Sequence, residues 1–342
     1  MKLILRFAFL SCFLFCSFGV NGQVIYGYVY DGSKEVPLPG ATVYINGTTI
    51  GTITNLDGRF TIKTDRVIEA SLVVSYIGYK TVPVNNPFRD EILEVILQKQ
   101  TDELGEAVVK TGREYWSRKK MLREFKKQFL GNNRAGQLCM ILNEDDIDLE
   151  FQPENETLLA SCDVPIQIRN NLLGYNIQYT LNAFEAKYDS PQRRNPYCRF
   201  VYYEGTSYYQ DITSNQEILA RFERSRNDEY KGSTSHFFKT LIKGDLKDEG
   251  FKLYNGILPI ETKRVFTIQN FEDKAVVDIK KNFFLDYKGN ERSLVTKRND
   301  KTTFLVYPNG NFTPARDLRF DGALALERIG STLPLDYEPE ED

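Results

Sequence analysis

Short stretches of alternating apolar and polar residues, broken every few positions by Gly, Asn or Asp, fill residues 23–98. Val24 to Tyr30, Ala41 to Ile45, Thr48 to Thr54, Arg59 to Thr64, Leu72 to Tyr76, Lys80 to Val84 and Ile92 to Leu97 read as strands, by the two-residue period of a half-buried sheet and by their β-branched and aromatic content. Asp31-Gly32, Pro39-Gly40, Asn46-Gly47 and Asn55-Leu56-Asp57-Gly58 separate them, and these residue types suit the backbone of tight turns. About seven short strands in roughly 75 residues predict an antiparallel sandwich with one small core.

Farther on the period turns helical. Within "EYWSRKKMLREFKKQFL", residues 114–130, Tyr115, Leu122, Phe125 and Phe129 share one helical face. The opposite face carries Arg118, Lys119, Lys120, Arg123, Lys126 and Lys127. A solvated face on a core-packed helix is the commoner explanation; the functional one is a surface for anionic lipid, glycan or an acidic partner, with Lys119, Arg123 and Lys127 as contacts. Trp116, the single tryptophan, reads as a packing anchor. Beyond Gly136, Leu138 to Leu142, Val164 to Arg169, Tyr175 to Leu181, Arg199 to Tyr203 and Ser207 to Ile212 are strand-like. Two helical stretches follow, Ile218 to Arg226 and a segment capped by Ser233, Thr234 or Ser235 that runs through His236, Phe237, Leu241 and Ile242. Val265 to Gln269, Ala275 to Ile279, Phe283 to Tyr287 and Thr303 to Tyr307 are later strand candidates. The expected fold class is mainly β with α+β: a seven-stranded antiparallel sandwich, then a strand-rich α+β domain.

The run "PLPGATVYINGTTIGTITNLDGRFTI" followed by "LVVSYIGYKTVPV" resembles the carboxypeptidase regulatory-like, transthyretin-like domain found in envelope proteins of the Bacteroidota. That resemblance covers residues 23 to about 98 and implies a packing or docking module, since the domain itself carries no peptidase residues. "ELGEAVVKTG" resembles the energy-coupling box that follows the same sandwich in TonB-dependent outer-membrane receptors. A receptor needs a plug and a large barrel behind that box. About 230 residues follow, with clear helical stretches and a "DYEPEED" end, so a linker with a plain edge strand is the preferred reading of 99–112. "SRKKMLREFKKQFLG", "LLGYNIQYTLNAFEAKY" and "YKGSTSHFFKTLIK" resemble the long region accompanying this sandwich in other envelope proteins, a likeness that brings no activity with it.

Met1 to Gly22 has Lys2 and Arg6, then an apolar run from Phe7 to Phe18, then small residues at Val20 and Gly22, which is the make-up of a signal peptide. Its apolar stretch is short for a membrane span. Cys12 or Cys16 would be the acylated residue of a lipoprotein, but Phe15 is bulky where a small residue is wanted. The domain organisation expected is 1–22 signal peptide, 23–98 sandwich, 99–112 linker and edge strand, 113–335 α+β domain and 336–342 acidic tail. Removing Lys2 and Arg6 from 44 basic residues leaves 42 against 47 acidic ones, a charge of about −5 that argues against wholesale nucleic-acid binding. Cys139, Cys162 and Cys198 remain, an odd number; one pair plus one buried thiol is the simplest arrangement, and Cys139 and Cys162, in neighbouring strand candidates, can pair, though spacing does not derive connectivity. Three thiols and one histidine make a poor metal inventory, and no cofactor is expected.

His236 sits beside hydroxyls in "GSTSHFF", where a serine hydrolase would need its base, yet no Gly-x-Ser-x-Gly elbow supplies a nucleophile and packing beside Phe237 and Phe238 is the simpler role. "NEDDIDLE" offers Glu144, Asp145, Asp146, Asp148 and Glu150 for calcium or glycoside chemistry, against an acidic loop leading into an exposed strand. Twenty tyrosines, clustered at Tyr202, Tyr203, Tyr208 and Tyr209, can form an amphipathic sheet face; Tyr203 and Tyr209 are the candidate contacts there for a sugar or a protein partner. The function expected is non-catalytic interaction or scaffolding by an exported protein in the periplasm, at the outer-membrane periphery or secreted, with an envelope protein or glycan as partner. Peripheral membrane association stays open, with no span after signal cleavage. The alternatives are a carbohydrate-active or other hydrolase using residues 144–150, and an accessory subunit of an outer-membrane transport system.

Overall fold

The computed structural model describes residues 23–32, 36–65, 68–88, 91–100, 116–298 and 303–339. The signal peptide, Tyr115 and most of the linker therefore lie outside the described residues, as do residues 340–342 of the acidic tail.

The sandwich is built from β1 (Gln23–Asp31), β2 (Val36–Pro37), β3 (Thr42–Ile45), β4 (Gly51–Ile53), β5 (Arg59–Thr64), β6 (Leu72–Ser75), β7 (Val82–Val84) and β8 (Leu93–Leu97). β1 is central to one sheet, antiparallel to β2 and β5 and parallel to β8; the other sheet runs β4-β3-β6-β7, all antiparallel. The two-residue period is explicit in β5, where Phe60, Ile62 and Thr64 are buried and Arg59, Thr61 and Lys63 exposed. Its entry turn needs two particular residues. Asn55 Oδ1 accepts from the amides of Asp57 and Arg59 at 3.0 and 2.8 Å, and Gly58 has φ +69° with its would-be Cβ only 2.6 Å from the Val29 carbonyl. Ile25, Val29, Val43, Phe60, Leu72 and Val95 meet in the core.

A second cluster forms on a six-stranded antiparallel sheet of β9 (Cys139–Ile141), β10 (Ile147–Gln152), β11 (Thr157–Cys162), β12 (Ile166–Asn170), β13 (Tyr175–Asp189) and β14 (Tyr197–Asp211). β13 and β14 make one hairpin of 15 residues a side, with irregularities at Leu181/Ala183 and Lys187/Tyr188. Helix α1 (Arg118–Phe129) starts at Ser117, whose side chain accepts from the Lys120 amide, and buries Met121, Phe125 and Phe129 against this sheet. Trp116 stacks on Phe151 at 4.2 Å, meets Tyr188 edge-on at 5.0 Å and donates its Nε1–H to the Pro191 carbonyl at 2.9 Å. The short α2 (Arg134–Gln137) leads from α1 into β9.

After α3 (Gln216–Tyr230) and α4 (Thr234–Lys243), a third cluster forms between a sheet of β16-β15-β19-β20-β23 and one of β17-β18-β21-β22. Their ranges are β15 (Phe251–Asn255), β16 (Leu258–Pro259), β17 (Phe266–Asn270), β18 (Ala275–Ile279), β19 (Phe283–Tyr287), β20 (Glu291–Lys297), β21 (Thr303–Val306), β22 (Phe312–Thr313) and β23 (Leu318–Gly322), with a short α5 (Thr262–Val265) before β17. α4 joins the two sheets: Phe237 packs near Phe251 and Phe283, while Phe238 packs near Phe304 and Phe312. Strand-rich α+β is thus the observed class, with eight strands rather than seven in the sandwich because Val36–Pro37 adds a two-residue rung to β1.

Two sets of contacts tie these parts together. Gly47 N–H donates to Ser207 O at 2.7 Å and Tyr209 N–H to Thr48 O at 3.0 Å, while Tyr44 stacks on Tyr208 at 5.0 Å. The segment 328–337 then passes all three clusters. Its Ile329 and Gly330 amides bond Phe129 O and Leu130 O, Leu335 N bonds Gly47 O, Asp336 accepts from Thr49, and Asn309 Nδ2 donates to Leu335 O at 3.1 Å.

Candidate interaction site

β14 begins beside a large open groove of about 1370 Å³ that separates it from the turns and strands between Asn309 and Arg328. Tyr197, Phe200, Tyr202 and Tyr203 line one side, Arg298 and Arg316 the other. Tyr203 is held by its inner face, edge-on to Phe129 at 5.4 Å and to Tyr179 at 6.5 Å, and burial raises its hydroxyl above the ordinary tyrosine range. Tyr202 points the other way along the strand and donates to Glu204.

The charge lining the groove is uneven. Arg298 and Arg316 are exposed and Arg328 half-buried, and among the described residues none of the three sits in an ion pair. Arg298 lies 5.8 Å from the Phe200 ring centre. Arg319 is answered by Asp321 at 2.8 Å and Arg199 by Asp189 at 3.3 Å. Of the carboxyls, Glu327 accepts the Thr234 amide at 2.7 Å at the start of α4, and burial pushes it up to about 7. Burial also raises Glu229. Guanidinium groups stay charged throughout, and five arginines line the groove against four carboxyls, Glu204, Glu229, Asp321 and Glu327.

Of the five residues expected to form an interaction surface, Tyr203 alone lines this groove. Tyr209 is 1% exposed, packed edge-on to Tyr175 at 5.7 Å, because alternation along β14 turns it to the same core face as Tyr203 without the groove beside it. It cannot present a contact at a surface. Lys119 and Arg123 are exposed and Lys127 half-buried on α1. Arg123 is paired with Glu124 and donates to Arg194 O at 3.2 Å, while Arg118 and Lys120 reach Ile147 O at 2.9 Å and Pro191 O at 2.8 Å. Much of the basic face therefore fastens neighbouring loops onto the helix.

His236 is buried in a role that leaves neither nitrogen free. Nδ1 accepts the Gly232 amide at 3.0 Å, which places the proton on Nε2, 3.3 Å from Glu249 Oε2. Burial lowers its pKa, with Glu249 opposing. Glu144, Asp145 and Asp146 form a single 3-10 turn tied to Lys126 and Asn143, and Asp148 and Glu150 lie on β10 at the sheet edge; none of the five lines the groove. The disulfide expectation fails: Cys139, Cys162 and Cys198 are all free, their sulfurs directed at the carbonyls of Ala135, Asp146 and Phe200 at 3.3 Å each. β9 and β11 lie apart in the sheet order, so the strands of Cys139 and Cys162 are not neighbours. Among the described residues no cluster of three or more His, Cys, Asp or Glu could hold a metal, and no helix is long and apolar enough to cross a membrane.

Sequence reasoning missed Arg298, Arg316, Arg328 and Glu327, which come from turns with no apolar period. The arginine pair in "ARDLRF", 315–320, was the one local signal available.

Residues 25–109 match the CarboxypepD_reg-like domain. The chain is 36% identical over 106 residues to TonB-dependent receptor P39 of Formosa agariphila, which is 30% of this chain and 10% of that protein. It is 41% identical over 83 residues to TonB-dependent receptor SusC of Bacteroides thetaiotaomicron, 24% of this chain and 8% of the receptor. The chain thus spans about a tenth of the length of these relatives.

Proposed function

We propose that this protein is a non-catalytic interaction component of the cell envelope that serves an outer-membrane transport system. The observation that carries this reading is the sandwich: residues 25–109 match a module that TonB-dependent receptors also possess, in similarity reaching 36–41% identity. A β-sandwich of this kind offers edges and faces for docking, and here one such face is already docked, onto β14 through Tyr44 and Thr48.

The non-catalytic part rests on chemistry. His236 has both nitrogens engaged, and burial lifts the Cys139 and Cys198 thiols to about 12 and about 11, far from the thiolate a nucleophile requires. The groove instead combines aromatic rings with three guanidinium groups that form no ion pair among the described residues, the composition of a recognition surface. The signal-peptide-like composition of residues 1–22 supports an exported protein that works in the periplasm, at the outer-membrane periphery or outside the cell.

Deleting the gene and measuring uptake across a panel of large substrates tests this reading. The expected result is loss of uptake of a defined substrate class, restored by the wild-type gene. Unchanged uptake throughout the panel, with the protein recovered from the envelope fraction, would contradict the transport role.

A further inference from the structure

Among the described residues one edge of strand β14 pairs with no other strand, and residues 197–204 of that strand line the groove. Ser207 and Tyr209 turn their backbone polar groups away from β13, because Ser207 O accepts from Gly47 and Tyr209 N–H donates to Thr48. Residues two apart on a strand face the same way, so Gly205, Tyr203 and Val201 turn theirs outward as well. β14 pairs with β13 as its only strand partner among the described residues, and no described residue bonds the outward groups of these three. The sandwich has taken one rung of this edge, at 207–209, and left the next three positions open.

An open edge of this kind is a template for strand addition. We propose that an extended, carboxylate-bearing peptide segment of an envelope partner adds to β14 at Val201–Gly205, with Arg298, Arg316 and Arg328 meeting its acidic side chains. Charge selects the occupant. Among the described residues all three guanidinium groups line the groove without an ion pair, Arg298 and Arg316 bear on Tyr202 and Arg328 on Tyr203, and the facing carboxyls already accept hydrogen bonds within the protein, Glu204 from Tyr202, Glu327 from Thr234 and Glu229 from Ser331, with burial holding Glu327 up to about 7. Backbone bonds at the edge supply register, and alternate side chains of the incoming strand reach the arginines. This rests on the interaction reading above and gives it a ligand class.

The probes are blocked peptides in extended-prone sequence: alternating Glu and Val over eight residues, the same peptide with Lys for Glu, the acidic peptide with a central proline, and heparin as a polyanion without a backbone to pair. Fluorescence anisotropy gives affinity, and amide exchange reports which residues are covered. The acidic peptide is expected to bind, protecting the amides of Val201, Tyr203 and Gly205, with the Lys and proline peptides at least about tenfold weaker. Val201→Pro removes an outward amide and no ladder bond, so it should weaken binding by about tenfold or more while the melting curve is kept. Arg298→Glu with Arg316→Glu, both on exposed side chains, should do the same by charge. Binding that ignores Val201→Pro, protection of these amides before any peptide is added, or binding of heparin in place of the peptide would each overturn the proposal. Envelope partners retained by Val201→Pro would overturn it too and leave the interaction reading standing, whereas peptide binding with no effect of gene deletion on uptake would remove the transport role alone.

Discussion

Replacing Tyr208 with Ala should uncouple the sandwich from the rest of the protein. Tyr208 is 9% exposed, stacks on Tyr44 at 5.0 Å and, with Tyr44 and Val73, forms a small cluster apart from the three main ones. Tyr44 and Val73 come from β3 and β6 of the sandwich, so this cluster is interface. Truncating a buried aromatic costs about 3–5 kcal/mol. If about 3 kcal/mol of that falls on the sandwich, its melting point drops by about 12–24 °C, since each kcal/mol shifts a domain of this size by about 4–8 °C. Differential scanning calorimetry of wild type should show the sandwich melting with its neighbours, and of Tyr208→Ala a separate early transition. Circular dichroism at 20 °C should be unchanged. A single transition displaced by less than about 2 °C would refute the reasoning, because the ring would then carry under one kcal/mol of coupling.

Trp116→Ala removes the stack on Phe151 and the bond to Pro191 O, and should cost about 3–5 kcal/mol in urea unfolding, without selective loss of the sandwich transition. His236 has a lowered pKa in the folded state, so the unfolded chain takes up its proton first; stability should fall as pH drops below the ordinary histidine value, and His236→Gln should remove that component from a pH series of denaturation curves. Glu327 behaves oppositely, its folded pKa near 7 lying above the unfolded value, so its contribution declines as pH rises from about 4.5 to 7, and Glu327→Gln should flatten stability across that window. Cys139, Cys162 and Cys198 should resist a maleimide at pH 7 in the native protein and react after unfolding, read by peptide mass spectrometry.

The sandwich was legible because each signal in it is local. Period two places Phe60 and Ile62 inside, and the Asn-x-Asp-Gly turn fixes the register that follows. The helix through Phe125 and Phe129 was legible for the same reason, period 3.6. Longer elements were harder. Arg199 to Tyr203 and Ser207 to Ile212 read as two strands, whereas Gly205 interrupts the apolar pattern without interrupting the strand; its missing side chain admits the Thr180 carbonyl, 2.2 Å from a would-be Cβ, at the irregularity opposite Leu181/Ala183. β11, Thr157–Cys162, and β20, Glu291–Lys297, escaped because their faces mix polar and apolar residues and only cross-strand partners decide them. The site was barely legible. Tyr203 stood out by composition, but an open edge is a property of what fails to pair with it, and the arginines opposite are nearly a hundred residues or more away in sequence.

Crosslinking the tagged protein in native envelopes and recovering its partners with their stoichiometry tests the central claim most directly. A component of an outer-membrane transport system captured at a fixed ratio, through crosslinks that map to residues 197–205 or to the sandwich, is the predicted result. A folded and abundant bait that recovers no envelope partner, or crosslinks scattered at no fixed ratio, would contradict it.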